Sequence, residues 1–236
     1  MNEAAKRIAD NVARIRERIA RAAESAGRPP ESVTMVAVTK YVGADLVRLL
    51  AQTGCRHFGE SRPQELWQKE SELRDLSTMD PPIYWHLIGH LQRNKVVRTL
   101  PLVHRIHSVD SLRLIEAIED SAAALEMQVT ILLEVNISGD PSKHGWAPDA
   151  LLREWETWRD HPHLTVSGLM AMAGAVGGRP QAAREFEQLR QLRDQLARNA
   201  PPRVSLTELS MGMTGDYDLA IAAGATLVRI GSALFE

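Results

Sequence analysis

Short apolar runs alternate with amphipathic helical stretches along most of the chain, and this alternation limits the possible folds more than any other feature. The runs are "VTMVAV", "HFGE", "YWHLIG", "RIHSV", "TILLEVNI", "LTVSGLMAM", "LTELSMG" and "TLVRIG". Between them lie segments of helical periodicity such as "ADLVRLLAQTG", "SLRLIEAIEDSAAALE" and "QAAREFEQLRQLRDQLARNA". "VTMVAV" and "TILLEV" are almost continuously apolar, as strands covered on both faces of a parallel sheet must be. About eight strands joined through helices predict an α/β fold, a (β/α)8 TIM-type barrel. An open doubly wound sheet is the alternative. Ahead of the first run, Ile8, Val12, Ile15 and Ile19 recur at spacings of four, three and four. That spacing makes one apolar helix face, so an extra N-terminal helix precedes the barrel and ends at Gly27-Arg28-Pro29-Pro30.

No Gly/Ser linker or shift of composition divides residues 1–236, which are read as a single domain. A net charge of -2 gives no signal for nucleic acid or a membrane surface. The first residues, "MNEAAKRIADNVARIRERIARAAESAG", are charged throughout and do not form a signal peptide. No apolar run approaches the roughly 20 residues of a membrane span. Cys55 is the single cysteine, which excludes an intramolecular disulfide and a multi-cysteine metal site. A cytoplasmic protein is expected.

In a barrel of this type function sits at the carboxyl ends of the strands, and the polar residues and glycines collect there. Lys40 follows the first strand, Gly59-Glu60-Ser61 the second, and His86 to His90 the third. Asn136 is read into strand five, Met170 and Met172 into strand six, Ser210-Met211-Gly212 into strand seven, and Arg229 to Ser232 into strand eight. "SMGMTGD" and "RIGSALF" place glycine and hydroxyl residues where backbone amides can approach an anion, and these two loops are the recurring phosphate site of such barrels. An amine is nucleophilic only when neutral, and free lysine titrates at roughly 10.4. Apolar neighbours, or a cation such as Arg229, would favour the neutral amine of Lys40 and its condensation with a phosphorylated aldehyde. The plainer alternative is a strand-end lysine whose ammonium reaches water. His86 and His90 form an HxxxH pair without the glutamate of HExxH, and His104 and His107 have no clear third ligand, so no metal site is expected. Neither a P-loop nor G-x-S-x-G occurs.

Taken together, "VAVTK", "HFGES", "WHLIGHLQRNK", "IHSVDS", "EVNISGDPSKHGW", "GLMAM", "ELSMGMTGDYDLAIAAGAT" and "VRIGSALF" resemble the pyridoxal 5'-phosphate homeostasis proteins, single-domain relatives of the alanine racemase barrel. The motifs stand in the family's order and cover nearly all of the chain after residue 33. The resemblance implies pyridoxal phosphate enzyme fold type III, with Lys40 carrying the cofactor as an aldimine. It further implies Ser210, Gly212, Gly231 and Ser232 at the phosphate and Arg229 opposite the pyridine nitrogen. His86, Gly89 and Met211 would line the ring pocket, with Ser61 and Asn136 near the cofactor's polar edge and Lys143 as a secondary contact. The chain departs from the family's usual pattern in four places: Ser61 replaces Asn, His90 replaces Pro, "YVG" stands where a Lys-Pro pair usually follows the lysine, and "FE" stands where "FG" is usual. The implied role is to hold and deliver pyridoxal phosphate, with apo-enzymes as recipients, as a monomer. The alternative is an amino-acid racemase, which needs a second base opposite Lys40. The tyrosines available are Tyr41, Tyr84 and Tyr217; Tyr41 points away from the lysine if the first strand continues through it, Tyr217 lies beyond the phosphate turn, and both stay open as bases. A lysine-dependent aldolase is the remaining reading. The glycine-rich stretch Met172 to Pro180 reads as a mobile loop.

Overall fold

A parallel strand cannot turn back on itself, so each run must be carried to the next by a crossover, and a sheet built this way keeps exposed edges unless it closes. The computed structural model describes residues 3–158, 160–201 and 203–236. Its strands are β1 (Thr34–Val38), β2 (His57–Glu60), β3 (Tyr84–Leu87), β4 (Arg105–Val109), β5 (Val129–Glu134), β6 (Leu164–Met170), β7 (Val204–Ser210) and β8 (Leu227–Ile230). Each lies parallel to the next in chain order, and β8 returns to β1 with Thr34 opposite Leu227 and Val36 opposite Arg229. The barrel is closed, which excludes the open sheet. Strands five and six are shorter than the apolar runs suggest. Asn136 and Met172 fall beyond β5 and β6, because the run of hydrophobic residues continues into the loops that roof the barrel.

The helices are α1 (Glu3–Ser25), α2 (Ala44–Gln52), α3 (Pro63–Glu72), α4 (Arg74–Ser77), α5 (Val96–Thr99), α6 (Leu112–Ala124), α7 (Pro148–Trp155), α8 (Gly178–Ala197) and α9 (Tyr217–Ala222). Beyond β8 the described chain has only a 3-10 turn, Ser232–Leu234. Helix α1 packs against α9, α2 and this turn, and so fills the place in the outer ring that a helix after β8 would occupy. Its stripe of Ile8, Val12, Ile15 and Ile19 is buried as the spacing predicts. Asn11 on the same helix donates from Nδ2 to the carbonyls of Leu234 (3.3 Å) and Glu236 (2.8 Å). Helix α7 ends at Trp155, whose indole donates to the Leu196 carbonyl of α8. The stretch Met172 to Pro180 is divided, with Gly178 to Pro180 in the first turn of α8.

Side chains alternate across each strand. Those turned outward join the helices in a continuous core that includes Ala37, Phe58, Leu87, Ile106, Leu133 and Val228. Those turned inward divide into two sets. Val36, Leu132, Met170 and Leu227 make a small apolar cluster, while His86, His107, Ser210 and Arg229 are buried polar residues. Strands β6 and β7 approach closely at Gly168, where a Cβ would stand 1.9 Å from the Glu208 carbonyl oxygen. Gly168→Ala should therefore cost at least the upper end of the roughly 1–3 kcal/mol typical of overpacked sites. Gly215→Ala, where a Cβ meets nothing within 4 Å, should stay within about 0.5 kcal/mol of wild type. Urea unfolding midpoints measure both, and equal midpoints for the two variants would contradict the packing account.

Candidate functional site

Val36 and Val38 face into the barrel, and Lys40 keeps that parity two residues past Val38, at the upper rim. The lysine is exposed and borders a cavity of about 740 Å³ at the carboxyl ends of the strands, within the range of small-ligand sites. Thr39, with the opposite parity, turns outward and is fully buried. Its hydroxyl donates to Glu60 Oε1 (2.6 Å), and Lys69 of α3 donates both to that oxygen (2.5 Å) and to the Thr39 carbonyl (2.7 Å). A buried ion pair thus clamps the backbone immediately before Lys40. Glu60 Oε2 is buried without a hydrogen-bond partner. Tyr41 does not turn away as expected. The strand has already ended, and its ring lies 4.8 Å from Lys40 Nζ on the cavity wall.

The neighbouring wall, beyond the β1–β8 pairing, is built from the two loops that the glycine pattern marks. Gly231 and Ser232 line the cavity together with Thr214 and Gly215, and the Gly231 amide donates to Thr214 Oγ1 at 3.4 Å. The amides of Ser232 and Ala233 open a 3-10 turn and so precede its first internal hydrogen bond. On the adjoining side Gly89 meets Ser61, where a Cβ would stand 2.3 Å from the Ser61 carbonyl oxygen. Only glycine allows the two loops to touch there. The Arg229 side chain forms part of the cavity surface. Its Nη1 donates to Ser210 O (2.7 Å) and Oγ (2.6 Å), and Nη2 to the Ala171 carbonyl (2.9 Å). Burial pulls this guanidinium down to about 10, against the opposing pull of Glu134 and Asp216.

Beneath Arg229 runs a line of buried imidazoles. His107 Nδ1 is 2.8 Å from Ser210 Oγ, His107 Nε2 is 2.9 Å from His86 Nδ1, and His86 Nε2 is 2.9 Å from His57 Nδ1. Desolvation holds all three below the usual histidine range. His57 falls to about 4, with His104 and Arg105 adding to the effect, and in His107 the Arg229 charge is the next cause after burial. Each ring is therefore neutral, with one donor and one acceptor nitrogen. Glu134 moves the other way, to about 7, through burial and then the charge of Asp110.

Of the residues expected at a bound ligand, Lys40, Ser61, Gly89, Arg229, Gly231 and Ser232 share the cavity wall. The others do not. His86 is fully buried below the cavity, engaged at both nitrogens. Ser210 and Met211 are also buried beneath it, and Gly212, at φ +90°, supports the turn against Tyr217 and Ala220. Asn136 spends its amide on the carbonyls of Asp140 and Lys143, holding the loop after β5. Lys143 donates to the carbonyls of Met172 and Ala173. Thr214 and Tyr41 line the cavity although the sequence reading did not assign them to it. Thr214 lies inside the quoted "SMGMTGD", so its hydroxyl was the available signal. With one primary amine, a guanidinium, four hydroxyl-bearing residues (Tyr41, Ser61, Thr214 and Ser232) and glycine backbone on a single cavity, the residues present fit a small phosphorylated aldehyde.

Comparison with known proteins agrees with this arrangement. The family described as alanine racemase, N-terminal domain, matches residues 10–236. The pyridoxal phosphate homeostasis protein of Pseudomonas aeruginosa is 39% identical over 228 residues, covering 97% of this chain and 94% of that one. The protein of the same description from Aquifex aeolicus is 36% identical, covering 96% of each. Among solved structures, PipY of Synechococcus elongatus with PLP bound superposes with a TM-score of 0.84 at 35% identity, covering 97% of this chain and all of PipY. Alanine racemase from Clostridium difficile shares the fold, with a TM-score of 0.67 at 13% identity over 86% of this chain and 52% of the enzyme.

The neutral imidazoles set a pH dependence whose sign can be worked out. Below the ordinary value of 6.5 the unfolded chain takes up protons that buried His86 and His107 refuse. Each then costs about 1.4 kcal/mol of stability per pH unit. Glu134 acts oppositely, because between 4.5 and about 7 its folded carboxyl keeps a proton the unfolded chain has lost. Two groups against one leave a net loss of about 1.4 kcal/mol per unit as pH falls from about 6 to 5, increased somewhat by the partly open His57. Urea unfolding across that interval should show the decline, and His107→Gln should flatten it. A stability that rises on acidification would mean the rings are not neutral.

Proposed function

The chain belongs to the family of pyridoxal phosphate homeostasis proteins, built on the alanine racemase N-terminal domain, and from that membership we propose that it binds pyridoxal 5'-phosphate and keeps it available to other proteins. One observation carries the reading: a single cavity is lined by the Lys40 amine, by Thr214, Gly231 and Ser232 and by Arg229, with Lys40 and Gly231 at the ends of the neighbouring strands β1 and β8. When bound, the cofactor supplies an aldehyde for reversible condensation with an amine, and a phosphate that anchors it.

The chain's own residues account for holding. Lys40 gives the amine, and the Thr39–Glu60–Lys69 cluster fixes the backbone from which it extends. The hydroxyls of Thr214 and Ser232 and the first amides of the 3-10 turn supply donors to the phosphate. Ser210 acts at one remove, by orienting Arg229 rather than by touching the phosphate. A guanidinium has donors and no acceptor, so Arg229, were it to face the ring nitrogen of a bound cofactor, would disfavour protonation there and make the cofactor a poorer electron sink. Ser61 and Gly89 shape the side of the pocket.

The same geometry favours a carrier over a racemase. Racemisation needs bases on both faces of the substrate carbon, and Tyr41 stands beside the Lys40 amine on one wall rather than across from it. The imidazoles are buried beneath the cavity and occupied with one another. Recipients of the cofactor are apo-enzymes that the chain meets in the cytoplasm. Among the described residues, no helix is long and apolar enough to cross a membrane.

The purified protein should show the absorption of bound pyridoxal phosphate, and borohydride reduction should fix the label on the peptide containing Lys40. Lys40→Ala should lose the label entirely. A colourless protein, or a label on another lysine, would refute the cofactor reading. Transfer of cofactor to an apo-enzyme without exchange of the α-proton of alanine in deuterated buffer is the result expected of a carrier. Exchange at a catalytic rate would make it a racemase instead.

A further inference from the structure

The sequence pairs His90 with His86, but the fold separates them. His86 points into the barrel, while His90, beyond the end of β3, is exposed on its rim. There it meets Asp110, the first residue after β4, and His144, from the connection between β5 and α7. His90 Nδ1 is 3.1 Å and His144 Nδ1 3.7 Å from Asp110 Oδ2, and one ligand atom from each residue lies within 4.8 Å of the others. The two imidazoles stack with centroids 4.5 Å apart and planes 16° apart, so one ring must turn about its side-chain bonds for both to face a common ion. Ser111 Oγ donates to Asp110 Oδ1 at 3.1 Å, which orients the carboxylate and leaves Oδ2 toward the histidines.

We propose that His90, Asp110 and His144 bind a divalent first-row transition ion of the Zn2+ type. Three ligands at the usual Zn–N and Zn–O lengths of about 2.0–2.1 Å stand roughly 3.3–3.4 Å apart around a tetrahedral centre, and the two observed separations bracket that value. Two imidazoles with one carboxylate suit zinc, cobalt or nickel, whereas calcium and magnesium take oxygen donors. Hydrogen bonding alone accounts for the His90 contact but not for the second imidazole, which at 3.7 Å is too far to bond to the same oxygen. The side chains of His90 and His144 are 43% and 60% exposed, so water can complete the shell. Arg93 and Arg113 border the same hollow, which makes water or a small anion the fitting fourth ligand. Buried Glu134 feels the Asp110 charge, and a cation on Asp110 relieves that repulsion. An ion here ties together the loops after β3, β4 and β5. It does so next to Gly89, which lines the large cavity. The site does not depend on what that cavity holds.

The test uses the full chain without an affinity tag. Zn2+ is titrated by calorimetry and Co2+ by visible absorption, where intense ligand-field bands report tetrahedral coordination. One equivalent should bind, and Zn2+ should raise the melting temperature. Asp110→Asn and His144→Ala should each weaken binding at least about tenfold, the lower bound seen even for residues that only support a ligand. His161→Ala, outside the cluster, should bind as wild type. The Co2+ spectrum of the wild type stands whether or not a variant folds. Absence of saturable binding, or binding that survives both ligand substitutions in folded protein, would overturn the proposal.

Discussion

Arg229 is a guanidinium buried at the barrel mouth with no carboxylate in contact, and much of the interior is arranged around that charge. Three of its five N–H donors go to uncharged oxygens, two to Ser210 and one to Ala171. A buried ion without such partners would be prohibitively costly. These bonds tie β8 to the ends of β7 and β6 beside the backbone bonds of the β7–β8 seam, where Ser210 pairs with Leu227 and the Met211 and Arg229 amides donate to the Leu227 and Gly212 carbonyls. The charge that a bound cofactor would meet is therefore also a cross-link within the cylinder.

The same charge explains why the imidazoles below are neutral. His107 touches Ser210, which already accepts from Arg229, so a proton on His107 would place a second cation against the first in a site closed to water. Neutral rings can pass hydrogen bonds from one to the next, and the line continues through His86 to His57 at the start of β2. The other inward set, Val36, Leu132, Met170 and Leu227, fills its share of the barrel with hydrocarbon. The interior is thus part buried polar array and part apolar plug.

The architecture was largely legible in the sequence because parallel strands buried on both faces advertise themselves as apolar runs, and eight of them were found where expected. Lys40, Gly89, Arg229, Gly231 and Ser232 were legible for a related reason, since they stand at strand ends where function collects. What escaped depends on contacts between distant segments. The apolar stripe of α1 showed that it packs, but not that it fills a gap in the outer ring. The Glu60–Lys69 pair joins β2 to α3 across nine residues of helix and turn and has no sequence signature. His86 and Asn136 carry the right chemistry for a ligand, yet parity buries the first and a loop consumes the second. Tyr41 would face away from Lys40 only if β1 ran on, and β1 stops at Val38.

The hold of Asn11 on the Leu234 and Glu236 carbonyls has a consequence for how the molecule comes to exist. Phe235 and Glu236 border the cavity, and β1 pairs with β8 across almost the whole chain, so the cavity is assembled from contacts of the highest sequence separation. Such contacts form late, because loop-closure entropy must be met before they stabilise anything. Nascent or partly folded chains lack the finished pocket. A pocket assembled this way exists only in molecules whose ring is already shut.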